Sequence, residues 1–181
     1  RTAVCCLSSL NLETYDEWKD EPNFIEDVMR FLDNVLTDFI NRAPDSFKDA
    51  KYSAMRERSV GLGVMGFHSF LQKMSIPLES VLSTVWNNKI FKHIQTEVDA
   101  SSKKLAEERG ACPDAAEYGF NERFSNKTAI APTASISIIC GGASPGVEPV
   151  AANSYTHKTL SGSYNVRNRY LKQVLEKYGK N

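Results

Sequence analysis

Two long stretches of helical periodicity constrain the fold of this 181-residue chain more than any other feature. In the first, apolar residues recur every three or four positions from Phe24 to Ile40, behind the start signal Asp20-Glu21-Pro22-Asn23. In the second, the same spacing runs from Val81 to Leu105 and stops at Arg109-Gly110. This spacing is typical of helices that bury one face, and a basic last turn followed by glycine is a common helix end. The chain is therefore predicted to be helix-rich.

The first of these helices is expected to end near Arg42, before Pro44. Its polar face is interpreted as solvated surface, and it comprises Glu26, Asp27, Arg30, Asp33 and Asn34.

Shorter segments predict the remaining elements. Ala3–Leu12 is apolar and small, which indicates a short buried strand, and Thr128–Ile130 predicts another. A last helix is expected over about Asn168–Lys177, and 150–160 is irregular or strand-like. Residues 111–126 are a loop by composition. The pattern predicts an α/β fold with few strands, and all 181 residues are assigned to one partial domain.

Charge and cysteine usage give no support to several classes of function. The 22 basic and 22 acidic residues cancel, so net charge gives no support for binding to nucleic acid or to a membrane surface. No apolar run approaches the length of a membrane span, and a cytoplasmic location is expected. The four cysteines have no metal-ligand spacing with the histidines, so no metal site is predicted, and each cysteine is most simply a small buried side chain.

The stretch Ala131-Pro132-Thr133-Ala134-Ser135-Ile136-Ser137 combines proline, hydroxyl residues and small side chains. It leads into the glycine-rich run 140–149. Such a sequence predicts a tight turn with exposed backbone N–H groups, which can bind an anion without lysine or arginine. We therefore predict that this segment holds a phosphate.

A second glycine-rich run, Gly61-x-Gly63-x-x-Gly66, matches the dinucleotide fingerprint in spacing. That fingerprint should follow a buried strand, whereas residues 52–58 are too charged for one. The favoured interpretation is that these glycines let a helix or loop approach other backbone closely. His68, just beyond, is interpreted as a core or supporting histidine and not as a ligand.

Three segments in this order resemble the large catalytic subunit of ribonucleotide reductase. They are AVCCLSSLNL, RSVGLGVMGFHSFL, and APTASISIICGGASPGVEP followed by SYTHKTLSG. The resemblance is closest to class I, which depends on a radical-generating diiron subunit, although the adenosylcobalamin-dependent class II shares much of the pattern. It implies that the chain is a fragment of a ten-stranded α/β barrel.

The resemblance also implies site residues and partners. Pro132, Thr133, Ala134, Ser135, Ile136 and Ser137 match the loop that grips the phosphates of a ribonucleoside diphosphate. Cys5 matches a redox cysteine that forms a disulfide as the ribose is reduced, with the adjacent Cys6 left open as the alternative. The implied partners are the remainder of the large subunit, the radical-generating small subunit, and thioredoxin or glutaredoxin as reductant, with no cofactor bound directly by this piece.

The chain lacks several parts of that pattern. It begins at Arg1 without methionine, and it has no residues matching the family's radical cysteine or its tyrosine pair. It is thus expected to be a piece of a longer chain and inactive alone. Two other functions remain as alternatives: a nicotinamide-dependent oxidoreductase using Gly61, Gly63 and Gly66, and a non-catalytic, helix-rich interaction module. The reductase interpretation predicts that Cys5 Sγ and the amides of residues 134–137 face one cavity.

Overall fold

Two parallel strands form the centre of the fold in this computed structural model, which describes residues 1–4, 6–159 and 162–180. Strand β1 (Cys6–Asn11) pairs with β2 (Val60–Met65), with Cys6 opposite Val60 and Asn11 opposite Met65. A third segment continues the sheet, because Thr128 forms a parallel bridge with Leu62. Within the described residues these strands do not close into a barrel.

Eight helices and a hairpin complete the described chain. The helices are α1 (Tyr15–Trp18), α2 (Phe24–Arg42), α3 (Lys48–Glu57), α4 (Phe67–Lys73), α5 (Val81–Arg109), α6 (Pro113–Glu117), α7 (Ile136–Ile139) and α8 (Arg169–Lys177). Short 3-10 turns occupy Leu12–Thr14 and Asp45–Phe47. Strands β3 (Ser154–Thr159) and β4 (Gly162–Arg167) pair in antiparallel fashion.

The two long helices form where the periodicity predicts them. Helix α2 ends at Arg42 and α5 ends at Arg109, before Gly110 with φ of 87°. The amino end of α5 is capped by Ser80, whose hydroxyl accepts a hydrogen bond from the Ser83 N–H at 3.2 Å. Helix α2 packs against α5 and against both strands, and side chains from these helices, the sheet and α4 form the core.

The predicted strand at Ala3–Leu12 is confirmed as β1, and the strand-like stretch after Val150 contains β3. Helix α8 confirms the last predicted helix, and Asn168 caps it by accepting from the N–H groups of Tyr170 and Leu171. The predicted loop 111–126 contains one unpredicted helical turn, α6. No helix in the described ranges is long and apolar enough to cross a membrane.

Asp33 is the exception to the predicted solvated face of α2. Its side chain is fully buried and binds three arginines, so the prediction is wrong at this position. Arg58 Nη2 lies 2.7 Å from one carboxylate oxygen, Arg109 Nη1 lies 2.7 Å from the other, and Arg123 Nε is 2.9 Å from the first. Burial would raise the pKa of Asp33, but these guanidinium groups outweigh it and hold that pKa below its usual value. The cluster joins α2 to the ends of α3 and α5 and to residue 123.

Candidate functional site

The candidate site is the loop of residues 132–146, which begins where the parallel strands end. The chain enters it beside β2: the Leu62 N–H donates to the Lys127 carbonyl at 3.0 Å, and the Ala129 N–H donates to the Leu62 carbonyl at 3.2 Å. Because Thr128 is opposite Leu62 and β2 ends at Met65, the loop starts at the carboxyl ends of the strands. Ligands of parallel α/β sheets typically bind at this edge.

Thr133 closes the loop on itself. It has a left-handed backbone with φ of 53°, and its side chain is buried. Its hydroxyl oxygen accepts from the Gly146 N–H at 2.8 Å, and its carbonyl accepts from the Ser137 N–H at 3.0 Å. Thr133 therefore links the start of the loop to both its middle and its end.

The residues between these anchors are exposed. Ala134, Ser135 and Ile136 all face solvent, and within the described part of the chain no acceptor binds their backbone N–H groups. By contrast, Ser137 is only 2 % exposed and its hydroxyl lies 3.4 Å from the Ala134 carbonyl. The structure thus brings three predicted residues together as a surface of successive N–H donors with one exposed hydroxyl, and it makes Thr133 and Ser137 their frame.

The exit of the loop depends on two glycines. Gly141 and Gly142 have φ of 83° and 75°, a left-handed backbone that side chains disfavour. The N–H groups of Gly142 and Ala143 both donate to the Ser137 carbonyl at 3.0 Å. The reversal after α7 therefore returns the chain to the buried serine that frames the exposed amides.

Ser144 attaches the loop to α4, a contact that the sequence interpretation missed. The Ser144 N–H donates to Ser69 Oγ at 2.9 Å, and the Ser69 N–H donates to Ser144 Oγ at 3.1 Å. The Gly66 N–H also donates to the Ser144 carbonyl at 2.7 Å. Both serines are buried, and no local sequence signal pairs residues 75 positions apart.

His68 supports the same region, as predicted. Its Nδ1 accepts from the Val150 N–H at 3.3 Å, and the ring is half-buried. Burial lowers the pKa of His68, with a smaller opposing effect from Glu79, so the neutral ring that accepts this hydrogen bond is favoured.

The run Gly61-x-Gly63-x-x-Gly66 serves close packing. A Cβ at Gly63 would lie 2.1 Å from the Ala129 carbonyl oxygen, and one at Gly61 would lie 2.9 Å from Ala129 Cβ. The predicted packing role is confirmed, but the predicted helix or loop is wrong, because Gly61 and Gly63 lie inside the fully buried strand β2. No separate strand lies immediately before Gly61, because helix α3 ends at Glu57 and the glycines themselves lie in β2. The nicotinamide-binding alternative therefore loses the strand that it requires.

The cysteines lie in different surroundings. Cys5 is outside the described residues, so its predicted position beside the amides of 134–137 stays a prediction. Cys6 is half-buried and begins β1, about 17 Å along the strand from Asn11 and thus from the edge that carries the loop. Cys112 is buried as expected, whereas Cys140 is exposed at the end of α7. Among the described residues, no group of three or more His, Cys, Asp or Glu could hold a metal ion.

Comparison with known proteins identifies relatives along nearly the whole chain. The family model described as ribonucleotide reductase, barrel domain, matches residues 1–122 and 114–181. The ribonucleoside-diphosphate reductase large subunit of Invertebrate iridescent virus 6 is 52% identical over 97% of this chain and 18% of its own length. The corresponding protein of Invertebrate iridescent virus 3 is 47% identical over 97% of this chain and 28% of its own length.

More distant relatives include a vitamin B12-dependent enzyme and a solved class Id subunit. A vitamin B12-dependent ribonucleoside-diphosphate reductase of Thermoplasma acidophilum is 35% identical over 87% of this chain and 21% of its own length. The solved class Id ribonucleotide reductase alpha subunit of Actinobacillus ureae superposes with a TM-score of 0.86 and 37% identity, over 98% of this chain and 32% of that subunit. The chain therefore spans about a fifth to a third of the length of these relatives. With the family model covering almost every residue, this chain belongs to the ribonucleotide reductase barrel-domain family.

Proposed function

We propose that this chain contributes to a ribonucleoside-diphosphate reductase catalytic subunit, and that residues 132–137 hold the substrate's phosphates. The observation that carries this proposal is the surface of exposed N–H groups at Ala134, Ser135 and Ile136. Successive backbone N–H groups in a turn form a concavity for an anion, and phosphate oxygens are strong acceptors.

The frame around these donors supports the proposal. Thr133 and Ser137 are buried and use their polar groups within the loop, so the donors between them are fixed before a ligand arrives. Such preorganisation lowers the entropic cost of binding. Ser135 adds an exposed hydroxyl on the same surface.

The redox half of the site belongs to the same proposal. Reduction of a ribose C–OH to C–H consumes two electrons and two protons and releases water, and two thiols supply them by closing to a disulfide. We assign one thiol to Cys5 and the other to a cysteine outside these 181 residues. Cys6 stays the alternative for this thiol, because the two cysteines are adjacent in the sequence.

The names of the relatives guide the choice of partners. The two viral relatives at 52% and 47% identity are named large subunits, a name that supports a radical-generating small subunit as partner and hence a class I enzyme. Thioredoxin or glutaredoxin would restore the thiols, in the cytoplasm.

The phosphate proposal is tested by titrating the chain with pyrophosphate while following backbone amides by NMR. We expect saturable shifts at Ala134, Ser135 and Ile136. Ser135→Asp places a carboxylate beside the same donors. Repulsion between this carboxylate and one phosphate charge about 4 Å away costs about 1 kcal/mol even in water. Because each phosphate charge adds such a cost, the affinity should fall about tenfold or more. Ser46→Asp, at another exposed serine, is the control and should bind as the unaltered chain does. Shifts spread over other surfaces, or equal affinity in the two variants, would refute the assignment.

A further inference from the structure

Arg169, at the start of α8, contacts two separate parts of the molecule. Its Nη1 donates to the Gly141 carbonyl in the loop exit at 2.9 Å. Its Nη2 donates to the Glu13 carboxylate, which also accepts from the Tyr170 hydroxyl. One planar guanidinium group thus joins α8, the turn after β1, and the loop.

Glu13 is a fixed anchor for this arginine. The residue is 7 % exposed, its N–H donates to Asn11 Oδ1 at 3.1 Å, and its carbonyl accepts from Lys73 Nζ at 3.2 Å. A buried carboxylate needs charge-assisted partners, and here Arg169 supplies the positive charge. Burial, followed by the hydrogen bond to Glu13, raises the pKa of Tyr170 to about 12, so its hydroxyl remains a donor over the ordinary pH range.

The contact at Gly141 holds a part of the loop against which no neighbouring side chain packs. A Cβ at Gly141 or Gly142 would meet nothing within 4 Å, so neighbouring side chains do not restrict these two residues. The Gly141 carbonyl and the Gly142 N–H belong to the same planar peptide unit. Arg169 binds the carbonyl, and the Ser137 carbonyl accepts from the N–H at 3.0 Å, so this peptide is held from both sides.

From this geometry we infer that Arg169 is a positioning residue for the loop of residues 132–146. Its contact passes through the Gly141–Gly142 peptide to Ser137, and the Ser137 N–H donates to Thr133, which frames the exposed amides. The effect of Arg169 on ligand binding rests on the proposed phosphate function. Its effect on the loop geometry does not, and the two are measured separately.

The test compares Arg169→Ala, Arg169→Lys and the control Lys172→Ala, which removes a positive charge from a side chain on α8 that is 72% exposed and lies 3.6 Å from Glu176. Hydrogen exchange without ligand reports the loop. In Arg169→Ala, protection of the Gly142 and Ala143 amides should fall about tenfold, a typical effect of losing one charge-assisted hydrogen bond, while the amides of β2 keep their protection. Arg169→Lys should restore part of the lost protection, and Lys172→Ala should change the protection of neither the loop amides nor the β2 amides.

A charge swap separates positioning from simple anchoring of α8. The double variant Glu13→Arg with Arg169→Glu can restore an ion pair, but a carboxylate cannot donate to the Gly141 carbonyl. The loop amides should therefore remain unprotected in the swap. Unchanged protection in Arg169→Ala, equal losses in β2 and the loop, or full recovery in the swap would each overturn the inference.

Pyrophosphate titration of the same proteins separates this inference from the proposed function. We expect Arg169→Ala to weaken binding severalfold and Arg169→Lys, which keeps a positive charge near Glu13, to recover part of the affinity. Lys172→Ala should bind as the unaltered chain does. Failure of the unaltered chain to bind pyrophosphate, with the exchange pattern still present, would refute the phosphate proposal and leave the positioning contact in place.

Discussion

Replacing Gly63 by alanine tests how closely the sheet must pack at the entrance of the loop. The added Cβ would lie 2.1 Å from the Ala129 carbonyl oxygen and 3.3 Å from Ile130 Cα. Carbon and oxygen atoms normally approach to about 3.3 Å, so the two backbones must separate by about 1.2 Å. Because the new Cβ would meet backbone atoms of Ala129 and Ile130, no side-chain rotation can relieve the clash.

The expected cost follows from this separation. Overpacking a buried site costs about 1–3 kcal/mol. Moving residue 129 also disrupts the hydrogen bonds between Leu62 and residues 127 and 129, worth about 1 kcal/mol each. Alanine recovers about 0.5–1 kcal/mol through the unfolded chain, so Gly63→Ala should lower the free energy of unfolding by about 3 kcal/mol. In a chain of this size the melting temperature should fall by about 6–12 °C.

Gly61→Ala is the matched comparison in the same strand. Its Cβ would meet the end of the Leu7 side chain at 2.5 Å and Ala129 Cβ at 2.9 Å. Leu7 is 45 % exposed and can move, so a smaller loss of about 1–2 kcal/mol is expected. Urea unfolding followed by circular dichroism measures both variants. A loss for Gly63→Ala below about 1 kcal/mol, or below that of Gly61→Ala, would refute the packing argument.

Three further predictions concern charge and redox chemistry. Asp33→Ala leaves three arginines without their shared carboxylate and should cost about 3–5 kcal/mol in urea unfolding; an ordinary surface effect below 1 kcal/mol would contradict this. Folding lowers the pKa of Asp33, so the ionised carboxylate stabilises the folded chain above its unfolded pKa of about 3.9. This stabilisation is lost as pH falls through the lower folded pKa. The free energy of unfolding should therefore fall less at low pH in Asp33→Asn than in the unaltered chain. The chain alone should not reduce a ribonucleoside diphosphate. Where a fragment supplying the rest of the catalytic subunit restores turnover, Cys5→Ser should abolish that turnover and Cys6→Ser should not. Turnover by the chain alone, or the reverse cysteine pattern, would contradict these assignments.

Features that local periodicity controls could be predicted from the sequence. The ends of α2 and α5 were predicted at Arg42 and Arg109 because amphipathic spacing and end signals lie within a few residues of each other. The burial of Asp33 could not be predicted in this way. Its partners come from residues 25 to 90 positions away, and on a helical pattern alone a carboxylate is expected to face solvent.

The same distinction applies to the candidate site. Proline, glycine and hydroxyl residues indicated a turn with free N–H groups, and the exposed amides at Ala134 and Ser135 agree with that. The assignment of Gly61 and Gly63 to a helix or loop was wrong because their close neighbour, Ala129, is remote in sequence. The buried roles of Thr133 and Ser137 likewise depend on tertiary contacts that composition does not show.

The exposed amides at the loop carry only partial charges, so their orientation determines how strongly they can bind an anion. Three contacts from outside the loop fix that orientation: Gly63 against Ala129 at the entrance, Ser69 with Ser144 at the tail, and Arg169 with Gly141 at the exit. A preorganised donor loses affinity when it gains freedom, even if no donor is removed. Changes at these distant contacts should therefore weaken pyrophosphate binding without altering any group that touches the ligand. Changes on the solvated face of α8, such as Lys172→Ala, should leave binding intact.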